Sequence, residues 1–335
     1  MPLHTLLEHL RSVSSVDCDT LDVEVAKKLG PFADCTSNQA IAFNELSKVH
    51  GNGQPLYEDL IKNSITIAHW MFPKQADATV EELAVELMMA HLSISFAPHT
   101  TGYLLVQTNP KWSYSKDKTI KNAERILAHF RHLDPNLNIK RVCIKIPATW
   151  EGIQACKELE MRGIATLATT MFCMEQAVLA AQAGCTYIAP YVNELRVHFD
   201  EAYHDEDKGI PFSCQAHHYF ETQHFKTKVM AASLTSVDEV MQLTGVHHIT
   251  ISPQLLAELA ATPVPAGGWK GQSLFGSDVK HPPPVTVPTE ESEWRMAFTR
   301  SKAGKSEGKI VQAINIFADM QDRLEGMVRE FQSHK

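Results

Sequence analysis

The residue types in this 335-residue chain that can do chemistry share a setting, because they stand at the ends of short apolar runs. Asp19, Thr36 with Asn38, Gln107, Lys145, Thr169, Tyr191 and Ser233 all occupy such ends. Lys145 is the most telling of them. It lies in Arg141-Val-Cys-Ile-Lys-Ile146, is flanked by apolar residues, and is followed by Pro147. A lysine inside such a strand points into a partly desolvated interior, which disfavours its ammonium form. The neutral amine is the nucleophile that attacks a carbonyl, and the resulting iminium draws electrons from the adjacent carbon–carbon bond. Taken alone, the residue fits equally a lysine that snorkels at a rim or pairs with an acid.

Other candidate groups carry less. His217-His218, His224 and His247-His248 raise the question of a metal. Adjacent residues on a strand or helix point in different directions, so the pairs do not chelate as units, and no metal ligands are assigned. Ala266-Gly-Gly-Trp-Lys-Gly271 matches neither the P-loop nor the dinucleotide-binding glycine pattern and reads as loop. The acidic stretch Asp200-Glu-Ala-Tyr-His-Asp-Glu-Asp207 reads as a solvated insertion.

The apolar runs themselves are short and regularly spaced. Candidate strands cover 14–19, 32–36, 102–108, 141–146, 165–169, 186–191, 226–231 and 247–252. Helix-period segments separate them. In one, Ile120, Ala123, Ile126, Leu127 and Phe130 share a face. Another runs from Trp150 to a stop at Gly163. Eight strands interleaved with helices imply parallel pairing, and eight strands close a barrel, the (β/α)8 or TIM-barrel architecture. A doubly wound open sheet is the alternative on pattern alone. In a barrel, side chains at the C-terminal strand ends gather at one mouth, which is what the candidate residues require.

From Thr262 to Pro288 the chain is rich in proline and glycine, including the run Pro282–Pro284, and reads as loop. Two helical patterns follow, at about 290–300 and 306–331, and are expected to pack on the barrel within a single domain spanning 1–335. The last of them either covers the barrel mouth or mediates a homodimer.

Composition sets further bounds. Hydrophobic residues make up 44% of the chain and charged residues 21%, enough for a sizeable core. The formal net charge of −8 argues against an extended nucleic-acid surface. No run approaches the roughly 18 apolar residues of a membrane span, and the first eleven residues lack a signal-peptide core. The seven cysteines form no C-x-x-C pair, which fits buried thiols and a cytoplasmic protein.

Longer motifs sharpen this. The segment Ile144-Lys-Ile-Pro-Ala-Thr-Trp-Glu-Gly-Ile153 closely resembles the Schiff-base lysine segment of transaldolases. So do Leu159-Glu160, Gly163-Ile164, Thr169, Phe172, Gln176-Ala177, Ala183-Gly184 and Ile188-Ala-Pro-Tyr-Val192. Asp19-Thr20, Asp34-Cys-Thr-Ser-Asn38, Val229-Met-Ala-Ala-Ser233 and Ile249-Thr-Ile-Ser-Pro253 extend the match, which weakens between residues 40 and 100. The resemblance implies a class I aldolase or transaldolase acting on a small ketose or ketone donor and an aldehyde acceptor. Lys145 would carry the Schiff base and Asp19 would serve as an acid/base that orients hydroxyls. Asn38 and Ser233, with Thr36 beside them, would bind the dihydroxyacetone fragment. Thr169 would hold a catalytic water. Neither a metal nor an organic cofactor is implied, because the lysine supplies the electron sink.

Several positions depart from the ordinary transaldolase pattern. Gln107 stands where transaldolases have glutamate, Tyr191 where they have phenylalanine, and Leu167 where they have asparagine. The fructose 6-phosphate aldolase branch carries glutamine and tyrosine at the first two positions and uses the tyrosine hydroxyl for proton transfer. By that likeness Tyr191 is the general acid/base and Gln107 positions water. The two phosphate-binding arginines of the family fall on Glu194 and Thr235. Arginine grips phosphate with a bidentate fork, whereas glutamate repels it. Arg196, two residues on from Glu194, is the remaining cation nearby. The expected pocket, more apolar at Leu167 and Ala189, therefore suits a donor without phosphate. The alternative is a transaldolase passing dihydroxyacetone between sugar phosphates.

Overall fold

Eight short strands pair in parallel and in chain order to close a barrel. The computed structural model describes residues 5–74, 77–265, 273–275 and 285–333. The strands are β1 (Ser15–Cys18), β2 (Cys35–Thr36), β3 (Leu104–Gln107) and β4 (Val142–Pro147), then β5 (Thr166–Met171), β6 (Tyr187–Pro190), β7 (Lys228–Ala231) and β8 (His248–Ile251). Each overlaps the segment expected from its apolar run. Nearly every strand residue is buried, since one face fills the barrel and the other lies under helices.

Helix α1 (Leu6–Val13) precedes the barrel and starts at a capping box, in which Thr5 and Glu8 satisfy each other's main-chain N–H groups. Helices α2 (Val23–Leu29) and α3 (Gln39–Leu46) follow β1 and β2. Two further helices, α4 (Glu58–Met71) and α5 (Val80–Phe96), precede β3. The return helices α6 (Lys116–Leu133), α7 (Trp150–Met161), α8 (Met174–Gln182), α9 (Ile210–Thr222), α10 (Val237–Gln242) and α11 (Pro253–Ala261) complete the outer layer. On α6 the stripe from Ile120 to Phe130 is buried as its spacing predicts. Gly163, just past α7, has φ +75°, the left-handed conformation that ends helices.

Buried ion pairing locks α5 to α6. Arg125 Nη2 lies 2.6 Å from Glu86 Oε1, and Asn122 and His129 bond the same carboxylate. Helices α12 (Glu291–Arg300) and α13 (Lys305–Ser333) then run back over the barrel. Trp294 of α12 is buried and its Nε1 donates to the carbonyl of Glu175 at 2.9 Å. The buried face of α13 carries Ile310, Ala313, Ile314, Phe317, Leu324 and Val328, and it packs against α3, α5 and the segment after β6. This is the mouth-covering role left open by the sequence.

The acidic insertion after β6 is less solvated than its composition suggests. Asp205 is buried, accepting from the Glu194 N–H and from Lys309 Nζ of α13, each at 2.8 Å. The partner cation arrives from about a hundred residues downstream, which local sequence does not reveal. The glycine-rich stretch Ala266–Gly271 and the run Pro282–Pro284 lie outside the described residues. Among the described residues, no helix is long and apolar enough to cross a membrane. All seven cysteines are buried with free thiols.

Candidate active site

Lys145 sits on β4 with Gln107 of β3 and Leu167 of β5 as its register partners. Its surroundings follow from the segment that contains it. Thr149 caps α7 by accepting from the Gly152 N–H at 2.9 Å, so the chain turns at once from strand to helix. Position 152 must be glycine, because a Cβ there would stand 2.1 Å from the Pro147 carbonyl oxygen. Lys145 is only 3% exposed. Burial lowers its pKa, with Asp19 opposing the shift, so the amine is held toward its neutral, nucleophilic form.

Asp19 follows β1 and is anchored through its main chain, whose N–H donates to Ile251 of β8 at 3.0 Å. Its Oδ1 accepts from Thr36 Oγ1 at 2.5 Å, and Thr36 Oγ1 lies 2.6 Å from Thr250 Oγ1. Thr36 therefore aims the carboxylate and does not itself border the cavity. Asn38 caps α3, its Oδ1 accepting from the Ile41 N–H at 3.0 Å. That leaves the side-chain amide nitrogen as the group it can offer a ligand. Ser233 adopts φ +60°, a strained setting for a non-glycine residue, and its Oγ lies 2.9 Å from His198 Nε2.

Tyr191 directly follows β6 and is buried, with its ring edge-on to Phe172 at 5.8 Å. Thr169 Oγ1 donates to its hydroxyl at 3.4 Å. Burial drives the Tyr191 pKa well up, partly offset by Thr169, so the hydroxyl keeps its proton. A bulge in β5 sets this contact. Thr170 has φ +55°, and Gln176 braces the bulge by accepting from the Phe172 N–H and donating to the carbonyls of Ala148 and Thr170. Gln107 is buried, and neither atom of its amide has a hydrogen-bond partner. Its donor and acceptor stand one strand from Lys145. Leu167 and Ala189 are fully buried in the strand walls below the mouth.

A cavity of about 260 Å³ joins these groups. Asp19, Asn38, Lys145, Tyr191 and Ser233 line it, while Gln107, Thr169, Leu167 and Ala189 stand behind its wall. Glu194 and Arg196 are elsewhere. Glu194 borders an outer cleft with Tyr203, Lys305 and Lys309. Arg196 pairs with Asp200 at 2.7 Å and stacks over Tyr203 at 4.3 Å. Thr235 is tied to the buried Glu239, 3.1 Å from its Oγ1. Among the described residues Lys145 is thus the sole lysine or arginine on the cavity wall.

Further residues on that wall escaped the sequence reading. Thr250 and Ser252 at the end of β8 were available from strand alternation. His198 and Phe199 come from the insertion after β6, and Phe317 comes from α13. Nothing periodic in the sequence marks them as neighbours of Lys145. Burial lowers the His198 pKa, against the pull of Asp19, so its ring is kept neutral.

Comparison with known proteins agrees with this geometry. Residues 16–325 match the family model described as Transaldolase/Fructose-6-phosphate aldolase. The chain is 29% identical over 330 residues to a transaldolase of Alteromonas mediterranea, covering 97% of this chain and 98% of the relative. It is 30% identical over 338 residues to transaldolase B of Pasteurella multocida, covering 97% and 99%. A transaldolase of Methylococcus capsulatus is 31% identical over 264 residues, covering 77% and 78%. A closed eight-stranded barrel, a buried lysine at its mouth and a match along nearly the whole chain lead to one conclusion: this protein belongs to the transaldolase and fructose-6-phosphate aldolase family of class I, Schiff-base enzymes.

Proposed function

We propose that this enzyme makes or breaks a carbon–carbon bond on a ketose or ketone donor that carries no phosphate. The observation that carries this reading is the cavity wall, where Lys145 is the sole lysine or arginine among the described residues. Its amine adds to the donor carbonyl and expels water, leaving an iminium at Lys145. A base removes the proton of the hydroxyl carried by the far carbon of the scissile bond. That bond breaks, an aldehyde departs, and its electron pair moves into the iminium to give an enamine. Addition to an acceptor aldehyde, or protonation, regenerates an iminium, and water then hydrolyses it to release product and the free amine. In this scheme Tyr191 carries the proton through water held by Gln107 and Thr169. Asp19, Asn38 and Ser233 hold the donor hydroxyls. We also place the enzyme in the cytoplasm, in keeping with its seven buried free thiols.

A second reading is transfer of dihydroxyacetone between sugar phosphates. The curated relatives favour it directly, since those reported above are all named as transaldolases. Borohydride reduction followed by intact-mass measurement distinguishes the two. With free dihydroxyacetone the first reading expects a reduced adduct at Lys145, and with fructose 6-phosphate little or none. A strong adduct from the phosphate, with turnover when erythrose 4-phosphate is added, would transfer the assignment to the second reading.

A further inference from the structure

A second group of ionisable side chains lies inside the barrel, deeper than the cavity at Lys145, and the aldol scheme makes no use of it. Asp17 lies two residues before Asp19, Asp34 two before Thr36, and His248 two before Thr250. Strand alternation therefore puts them on the same inward face, one layer beneath the Asp19–Thr36–Thr250 cluster. His248 Nδ1 lies 3.0 Å from Asp17 Oδ2 and 3.7 Å from Asp34 Oδ2. One donor atom from each residue falls within 4.8 Å of the other two.

The two carboxylates are aimed by the backbone. Asp17 Oδ1 accepts from the Asp34 N–H at 2.9 Å, and Asp34 Oδ1 accepts from the Tyr103 N–H at 2.6 Å. Each acid thus spends one oxygen on the main chain and turns the other inward. Asp34 is buried and its Oδ2 has no hydrogen-bond partner. Tyr187 packs edge-on to His248 at 4.9 Å, and its hydroxyl interacts with the Asp34 carboxylate from outside strict hydrogen-bond geometry to Oδ2. No lysine or arginine among the described residues pairs with either acid, in contrast to Glu86, which has Arg125. Two buried acids thus converge on one imidazole with no permanent cation beside them.

We infer that Asp17, Asp34 and His248 form a binding site for one first-row divalent transition-metal ion. The spacing suits it. Metal bonds of about 2.1 Å put neighbouring ligand atoms about 3.0 Å apart in octahedral and about 3.4 Å apart in tetrahedral coordination. The observed 3.0 and 3.7 Å straddle those values. Two carboxylates and one imidazole favour zinc or manganese over magnesium or calcium. The ion would staple the narrowest seam of the barrel. There β2 is two residues long and meets β1 through the single register pair Cys18–Cys35, while β8 closes on β1 from the other side. The sequence reading assigned no metal because it weighed His247-His248 as a chelating pair, whereas here His248 alone meets two acids from other parts of the chain. The present site is independent of that chemistry and of the substrate proposed for it.

The test uses the full chain, stripped with chelator and titrated with Zn2+, Mn2+ and Co2+. The expected result is about one ion per chain, a metal-dependent rise in melting temperature, and visible d–d absorption from bound Co2+. Asp17→Asn and His248→Gln should each weaken Zn2+ binding about tenfold or more, with borohydride trapping at Lys145 unchanged. Should either variant fail to fold, the wild-type stoichiometry and the Co2+ spectrum decide. No binding by the wild type at about 0.1 mM Zn2+ would overturn the inference, leaving a proton shared between the acids. Stoichiometric binding that survives both substitutions would overturn it as well, by locating the ion elsewhere.

Discussion

Replacing Tyr191 by phenylalanine separates chemistry from architecture more cleanly than any other change at this site. The ring packs against Phe172 at 5.8 Å, and phenylalanine keeps that contact. What disappears is one hydroxyl and its hydrogen bond from Thr169, already long at 3.4 Å. Such a bond is worth about 0.5–1 kcal/mol, which for a chain of this size lowers the melting temperature by about 3 °C at most. A positioned general acid/base contributes about 100- to 10,000-fold in rate, equivalent to about 3–5 kcal/mol of barrier. Tyr191→Phe is therefore expected to fold almost normally and to lose kcat on that larger scale. The iminium forms before Tyr191 acts, so borohydride should still trap donor on Lys145. Because burial holds the Tyr191 proton well above its usual range, the wild-type rate should show no loss from tyrosine ionisation up to about pH 10. Steady-state kinetics, thermal melting and intact-mass trapping on one protein batch are sufficient. A kcat within about threefold of wild type would refute the assignment of proton transfer to Tyr191. Loss of trapping together with turnover would refute the order of events.

Three further substitutions test the same geometry. Lys145→Met should fold, give no reduced adduct and lose turnover, since methionine keeps much of the volume without the nucleophile. The folded pKa of Lys145 is lowered, so its unfolded form binds the extra proton and stability rises with pH up to the unfolded value. Comparing chemical denaturation of wild type and Lys145→Met between pH 7 and about 10 should show a shallower slope in the variant. Arg196→Ala should alter KM by less than about twofold, because this arginine pairs with Asp200 away from the cavity; a rise above about tenfold would mean that it reaches substrate. Glu86→Ala should destabilise the fold by about 3–5 kcal/mol by stranding the buried Arg125, measured by denaturant midpoint. Burial raises the Glu86 pKa, but His129 and Arg125 outweigh it and the net shift is downward. Its stabilisation is present above the unfolded carboxylate range and lost as pH falls below it, so the difference between wild type and Glu86→Ala should shrink in acid.

Much of the architecture was legible because parallel barrel strands announce themselves as short apolar runs between glycine and proline. Residues at their ends converge by geometry, which is how Asp19, Lys145 and Tyr191 could be grouped without coordinates. The helices between β2 and β3 were harder. Helix α5 is buried on most sides, with Glu82 and Glu86 facing inward, so it lacks the polar stripe by which amphipathic helices are recognised. Glu194 and Thr235 were visible as departures from an arginine pattern, but not their direction: both belong to hydrogen-bonded networks outside the cavity. His198 and Phe317 illustrate the wider limit. An insertion and a distant helix bring them to Lys145, and no local periodicity encodes meetings between such separated parts of the chain.

Helix α13 also sets an order of assembly in time. The eight strands and the residues they carry are complete by Ile251, whereas Phe317, which roofs the cavity, lies in the final helix. A ribosome makes that helix only after the last strand. Until it docks, the reactive amine of Lys145 sits beneath an open mouth, exposed to water and to any stray aldehyde. The same holds for a chain clipped near its end, since Lys309 would no longer tie the insertion down through Asp205. Docking of α13 and closure of the catalytic chamber are thus one event, for which the barrel strands alone do not suffice.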